Sequence, residues 1–253
     1  MNTKRILTYA HRVTLELLRD PLSYVFALGF PLVMLGVMTL VNASIPPEAA
    51  MDIFTLPALT PAVWIFGLTF LMLFTAQLLA KDRSEAFLIR LYLSPMTSAD
   101  FLIGYLLPSA FLAIFQGGIT FASGAVIGLF TGEVLSLIGI FRSLVLSVPA
   151  ILLFLSLGLV FGSVLSDRAA PGISSVVISA SSLLGGIWMD VEMMGGVWLK
   201  LCRVLPFYHA VRLARAGVSG ELDGIPLSLA VVFGYAALLF VLAAVLFGRQ
   251  RRK

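Results

Sequence analysis

Lys81-Asp82-Arg83-Ser84-Glu85-Ala86-Phe87-Leu88-Ile89-Arg90-Leu91-Tyr92-Leu93-Ser94-Pro95-Met96-Thr97-Ser98-Ala99-Asp100 lies between two apolar runs, Pro61–Ala80 and Phe101–Phe130. Each run is long enough to cross the hydrocarbon core of a bilayer. The intervening twenty residues hold six of the chain's thirty Lys, Arg, Asp and Glu residues. They are too charged to span and too regular for a plain loop. Phe87, Leu88, Leu91 and Tyr92 share one helical face, and Lys81, Asp82, Arg83, Glu85 and Arg90 supply a wet side or end. Ser94-Pro95 disfavours continuation of the helix. Thr97 and Asp100 have capping-box spacing ahead of the next apolar run. The pattern predicts a span, a lateral amphipathic helix at the membrane face, a sharp turn and a second span.

Working outward, 60% of the 253 residues are hydrophobic and only 12% are charged. No soluble fold of this size has enough interior to bury that much apolar surface, so the fold class is an all-α polytopic membrane protein. Six segments meet or approach spanning length: Leu22–Val41, Pro61–Ala80, Phe101–Phe130, Ile140–Leu165, Ile173–Met189 and Leu227–Gly248. The third and fourth are long and are expected to tilt or protrude. Pro31, Pro108 and Pro149 are candidate kinks. The first run is too long for the apolar stretch of a cleaved signal peptide, so cleavage is not expected.

Ahead of the first span, Ile6, Leu7, Ala10, Val13, Thr14, Leu17 and Leu18 recur at helical spacing, with Lys4, Arg5, His11, Arg12 and Arg19 mostly opposite. Residues 1–20 therefore read as a basic amphipathic helix suited to the headgroup layer, ended by Asp20-Pro21. With both termini on the cytoplasmic side, inner segments carry twelve Lys and Arg residues and outer segments five, the bias that sets orientation. Four of those five lie in 190–226, an apolar and partly amphipathic stretch expected to form short helices dipping into the outer leaflet. Trp188 and Trp198 suit an interfacial belt. There is no internal repeat and no linker, so residues 1–253 read as a single membrane domain.

The chemistry is sparse. No phosphate-binding Gly-x-x-x-x-Gly-Lys-Ser/Thr loop, zinc-protease motif or nucleophile elbow occurs, and neither catalytic nor metal-ligating residues are assigned. His11 and His209 are far apart, and the lone Cys202 reads as a buried, inert thiol. The span interiors lack the ionisable groups that ion-coupled carriers use. Gln116 is the mid-span polar candidate for a pathway, or for an interhelical hydrogen bond. The fifth span is rich in small residues. Ser174, Ser175, Ser179, Ser182, Gly185 and Gly186 are candidates for a pathway or a tight packing face, in this chain or against a second copy.

Arg83 through Met96 resembles the coupling-helix signature of permease subunits in the type-2 ABC exporter family. Leu88, Arg90, Leu91, Ser94 and Pro95 fit it, while Ala86, Phe87 and Ile89 stand where Gly, Thr and Glu are usual. The basic N-terminal helix is similar to the family's connecting helix. Gly186-Ile187-Trp188-Met189, Trp198-Leu199 and Pro206-Phe207-Tyr208-His209-Ala210-Val211-Arg212 resemble its outer re-entrant elements, with Asp190 where Pro is usual. This resemblance implies a multi-pass permease of the cell membrane, working as a dimer, with export as its direction. It also implies a separate cytoplasmic ATPase subunit that carries ATP and Mg, no cofactor on this chain, and coupling through Arg83, Glu85, Phe87, Leu88, Arg90, Leu91, Ser94 and Pro95. A non-transporting membrane scaffold is the alternative, and an ion-coupled carrier a weaker one.

Overall fold

The computed structural model describes residues 3–21, 25–46, 48, 50–84 and 96–250. Among them every regular element is helical. α1 (Thr3–Leu18) precedes a π-helical turn at Val25–Gly29, which runs into α2 (Phe30–Ser44). A short 3₁₀ turn at Asp52–Phe54 leads into α3 (Leu56–Ser84), followed by α4 (Ser98–Thr131). Next come α5 (Leu137–Leu146), α6 (Val148–Val164) and α7 (Ala170–Leu184). Three short helices, α8 (Val191–Met194), α9 (Gly196–Val204) and α10 (Pro206–Ser219), precede the last, α11 (Ile225–Gln250).

Four helical stretches are long and apolar enough to cross a bilayer: Val25–Ser44, Leu56–Ser84, Ser98–Thr131 and Ile225–Arg249. The expected fourth span is instead a broken helix. α5 and α6 meet at a bend of 42° beside Ser147, where Pro149 enters the first turn of α6 without an N–H to donate. The expected fifth span is the 15-residue α7, about 22 Å long at 1.5 Å per residue and so shorter than a hydrocarbon core. Of the other two candidate kinks, Pro31 also lies at a helix start and Pro108 sits inside a helix that continues past it, as Pro61 does in α3.

α3 is the buried axis. Every residue from Leu59 to Met72 is buried, and α2, α4, α6, α7 and α10 all pack on it. α6 makes the closest contact. A Cβ on Gly158 would lie 2.5 Å from the Met72 carbonyl oxygen, and one on Gly162 would lie 2.8 Å from that of Ala76. The Gly158-Leu159-Val160-Phe161-Gly162 spacing therefore brings two backbones together, the way helices associate where lipid gives no hydrophobic drive. The same device recurs at the other end of the molecule. Gly217 of α10 leaves no room for a Cβ against the Ser143 backbone of α5, and Ser143 Oγ donates to the Ala214 carbonyl at 2.7 Å.

α1 is amphipathic as expected, but its apolar face is not wholly given to lipid. Ile6, Tyr9, Ala10 and Val13 are buried against the bundle, mainly on α4, whereas Leu7 and Leu18 are exposed. At the start of α4, Thr97 and Asp100 form the capping box that their spacing foretold. The Thr97 N–H donates to Asp100 Oδ2 at 3.0 Å, and the Asp100 N–H to Thr97 Oγ1 at 3.2 Å.

Candidate functional site

The ends of α3 and α4 that flank residues 85–95 are fixed by a polar cluster sealed beneath apolar side chains. Asp82, in the last turn of α3, is completely buried. A carboxylate there faces the negative end of the helix dipole, so it needs strong partners. Arg12 of α1 supplies a two-pronged one: Nη1 donates to Oδ2 at 3.0 Å and Nη2 to Oδ1 at 2.9 Å. The Tyr105 hydroxyl of α4 donates to the same Oδ2. Tyr9 of α1 donates its hydroxyl to that of Tyr105 at 2.7 Å and receives Arg12 Nη1 at 3.3 Å. The bonds form a closed ring through Arg12, Tyr9, Tyr105 and Asp82. Glu16 adds a second carboxylate to Arg12, 3.0 Å away. Burial raises the Tyr9 phenol well above its ordinary pKa, and Asp82 holds the Arg12 guanidinium charged. Phe101, Val13, Leu79 and Phe247 form the apolar seal.

Arg83, the next residue, turns the other way. Its Nη1 donates to the carbonyls of Gly162 at 2.6 Å and Leu165 at 3.2 Å, satisfying acceptors at the C-terminal end of α6. The last turn of α3 is thus held to α1 and α4 by Asp82 and to α6 by Arg83. Of the residues expected to receive a partner, Arg83 is the one described. Glu85, Phe87, Leu88, Arg90, Leu91, Ser94 and Pro95 lie outside the described residues. The sequence pattern places Asp82 and Arg12 on wet faces, and the structure corrects both: their charges meet in a ring across seventy residues of sequence.

Among the candidate pathway or interface residues, Gln116 is buried. Its Nε2 donates to the Ala27 carbonyl in the π-helical turn at 2.6 Å, and Gly67 provides the space its amide occupies. On α7 the serines divide. Ser174 and Ser182 are buried, whereas Ser175 and Ser179 are exposed and bond back to carbonyls of their own helix. Gly185 and Gly186 are buried at the end of α7, and Gly186 adopts φ +69° to turn the chain. The candidates are therefore not gathered into one site.

At the opposite end, two basic residues of the 190–226 stretch are used structurally. Arg212 Nη2 donates to the Asp223 carbonyl at 2.8 Å, and Arg215 Nε to the Ala58 carbonyl at 3.1 Å. Desolvation pushes the Arg215 pKa down to about 10. His209 is buried between Ser228 Oγ at 3.0 Å and the Arg203 carbonyl at 2.9 Å, joining α10 to α11 and the end of α9. Trp188 packs edge-on against Phe66, and Cys202 is buried. A cavity of about 790 Å³ opens here between α10 and residues 185–192, and another of about 1020 Å³ opens beside α1 and α3 at the Arg12 end.

A family model described as "ABC-2 type transporter" matches residues 4–218. That match takes in the Arg12–Asp82 ring, residues 85–95 and the three short helices. A curated protein of Bacillus subtilis (strain 168) named "Putative transport permease YvfS" is 25% identical over 208 residues, covering 80% of this chain and 82% of that protein.

Proposed function

The chain belongs to the ABC-2 type transporter family, and on that premise we propose that it is the permease subunit of an ATP-driven exporter. It forms the substrate pathway with a second permease copy and is driven by a separate ATPase subunit, which carries ATP and Mg. Residues 83–95 are the coupling segment. The observation that carries this reading is the base of that segment: α3 and α4, which leave and re-enter the bundle on either side of it, are fixed by Asp82, Arg83 and Tyr105. A push on the segment meets a stiff anchor.

Other features support the same reading. Trp64, Phe121, Ile151, Phe154 and Leu155 fill the middle of the bundle, which favours a pathway between copies rather than through one. Six spans follow if the bent α5–α6 pair and the short α7 each cross, with both termini in the cytoplasm. Arg212 and Arg215, which weaken the charge bias of that orientation, are held by carbonyls, so their position is explained by packing rather than topology. On α9, Val197, Leu201 and Val204 are exposed at helical spacing, as suits a short helix dipping into the outer leaflet of the cell membrane.

The test is charge reversal of the segment in the intact complex. With Glu85→Arg and Arg90→Glu together, the chain is expected to insert and retain its partner, while ATP hydrolysis no longer drives flux. Unchanged flux and unchanged stimulation of hydrolysis in the double variant would overturn the assignment.

A further inference from the structure

We propose that the ring of Arg12, Tyr9, Tyr105 and Asp82 is a clamp that makes the N-terminal helix move as one body with the base of the coupling segment. The inference deepens the preceding section and rests on its reading of residues 83–95.

Asp82 lies two residues before the end of α3, at the point where the chain departs for the segment. Its carboxylate accepts three hydrogen bonds, two from α1 and one from α4. The ring is completed without Asp82 by the two tyrosine hydroxyls and by Arg12 on Tyr9. Edge-on contacts of the Tyr9 ring with Phe101 and Tyr105, at 5.3 and 5.4 Å between centroids, leave α1 little freedom to slide. Gly104 has no Cβ where Tyr9 lies, since one would sit 2.5 Å from the ring. Charge-assisted, two-pronged bonds of this kind, here to a fully buried carboxylate, are the stronger class. Without these bonds α1, a helix at the surface of the bundle, would be coupled less tightly to α3 and could lag behind when α3 moved. With the clamp it must follow. Arg12, Tyr9 and Tyr105 are thus positioning residues that act through Asp82 and touch neither nucleotide nor cargo.

The test uses the intact complex with its ATPase subunit in nanodiscs. Spin labels are placed at Leu7→Cys and Lys81→Cys, both exposed positions, in a Cys202→Ala background. Pulsed dipolar spectroscopy then gives the α1–α3 distance before and after vanadate trapping of the nucleotide. The clamp predicts one narrow distance in the wild-type ring, the same in both states. With Tyr105→Phe, which removes one hydroxyl and little volume, the trapped state is expected to broaden or shift by more than about 2 Å, the scale of helix shifts at packed interfaces. Asp82→Asn should act in the same direction and more strongly, and Tyr105→Phe decides the matter if that variant does not assemble. A wild-type distance that itself shifts on trapping, or a Tyr105→Phe distribution as narrow as wild type, would overturn the clamp. A wild-type complex with no bound ATPase and no ATP turnover would instead overturn the functional reading on which the clamp rests.

Discussion

Replacing Gly158 by alanine adds one methyl group where α6 touches α3. The new Cβ would lie 2.5 Å from the Met72 carbonyl oxygen and 3.1 Å from Thr75 Cβ. Ordinary contact begins near 3.4 Å, so the helices must part by about 0.9 Å at this point. The obstacle is backbone and has no rotamer by which to yield. A gap of that size forfeits about a quarter to a half of each dispersion contact along the seam. Overpacking of this kind costs about 1–3 kcal/mol, and a backbone obstacle puts it at about 2–3. Alanine returns about 1 kcal/mol by its higher helix propensity. The net loss is about 1–2 kcal/mol, about a five- to thirtyfold fall in the ratio of folded to unfolded protein. Gly118→Ala is the matched control: it lies on the exposed side of α4 with nothing within 4 Å of its would-be Cβ, so it should be neutral or slightly stabilising. Thermal scans of fluorescent fusions by size exclusion, or steric trapping in bicelles, read the difference. Equal stability of the two variants would refute the claim that Gly158 sets the α3–α6 distance.

Gly67→Ala should destabilise by forcing the Gln116 amide away, because the new Cβ would sit 1.9 Å from Nε2. Adding Gln116→Ala should recover part of that loss, so a double-mutant cycle that is additive within about 0.3 kcal/mol would count against the contact. Thr97→Ala removes the hydroxyl half of the capping box and should cost about 1 kcal/mol in the same unfolding assay. His209 has its pKa lowered below the ordinary 6.5, chiefly by desolvation. Its contribution is therefore complete above pH 6.5 and is lost as pH falls through the lower folded value. Wild type should lose more midpoint than His209→Gln between pH 7.5 and about 5, and parallel pH profiles would contradict this.

The apolar runs of α2, α3, α4 and α11 were legible because a span must be long and uncharged, and the Thr97–Asp100 cap was legible because its partners are three residues apart. The bend beside Pro149 was foreshadowed, but the division of that run was not: α5 leaves the line of α6 to pack on α10, seventy residues later in the chain. The Gly158–Gly162 spacing could have been found by inspection, although nothing local says which helix it meets. Asp82 was hardest. In sequence it belongs to a charged cluster, Lys81-Asp82-Arg83, whose natural reading is a solvated helix end. Two signals pointed the other way: a carboxylate in a last helical turn is out of place, and Tyr9 stands on an otherwise aliphatic face. Neither names Arg12, because the ring closes only when α1 folds back onto α4. The anchor at the end of α3 was thus hidden in long-range contacts, and the segment expected beside it, residues 85–95, lies outside the described residues.

Force transfer from an ATPase to residues 83–95 is the central claim, and photocrosslinking tests it most directly. A benzoyl-phenylalanine at Phe87, in the segment, and another at Leu201, exposed on α9 at the opposite end, are illuminated in native membranes. The account predicts a crosslink from position 87 to a nucleotide-binding subunit and none to that subunit from position 201. Capture of that subunit from position 201, or none from position 87 in a chain that has inserted, would contradict it.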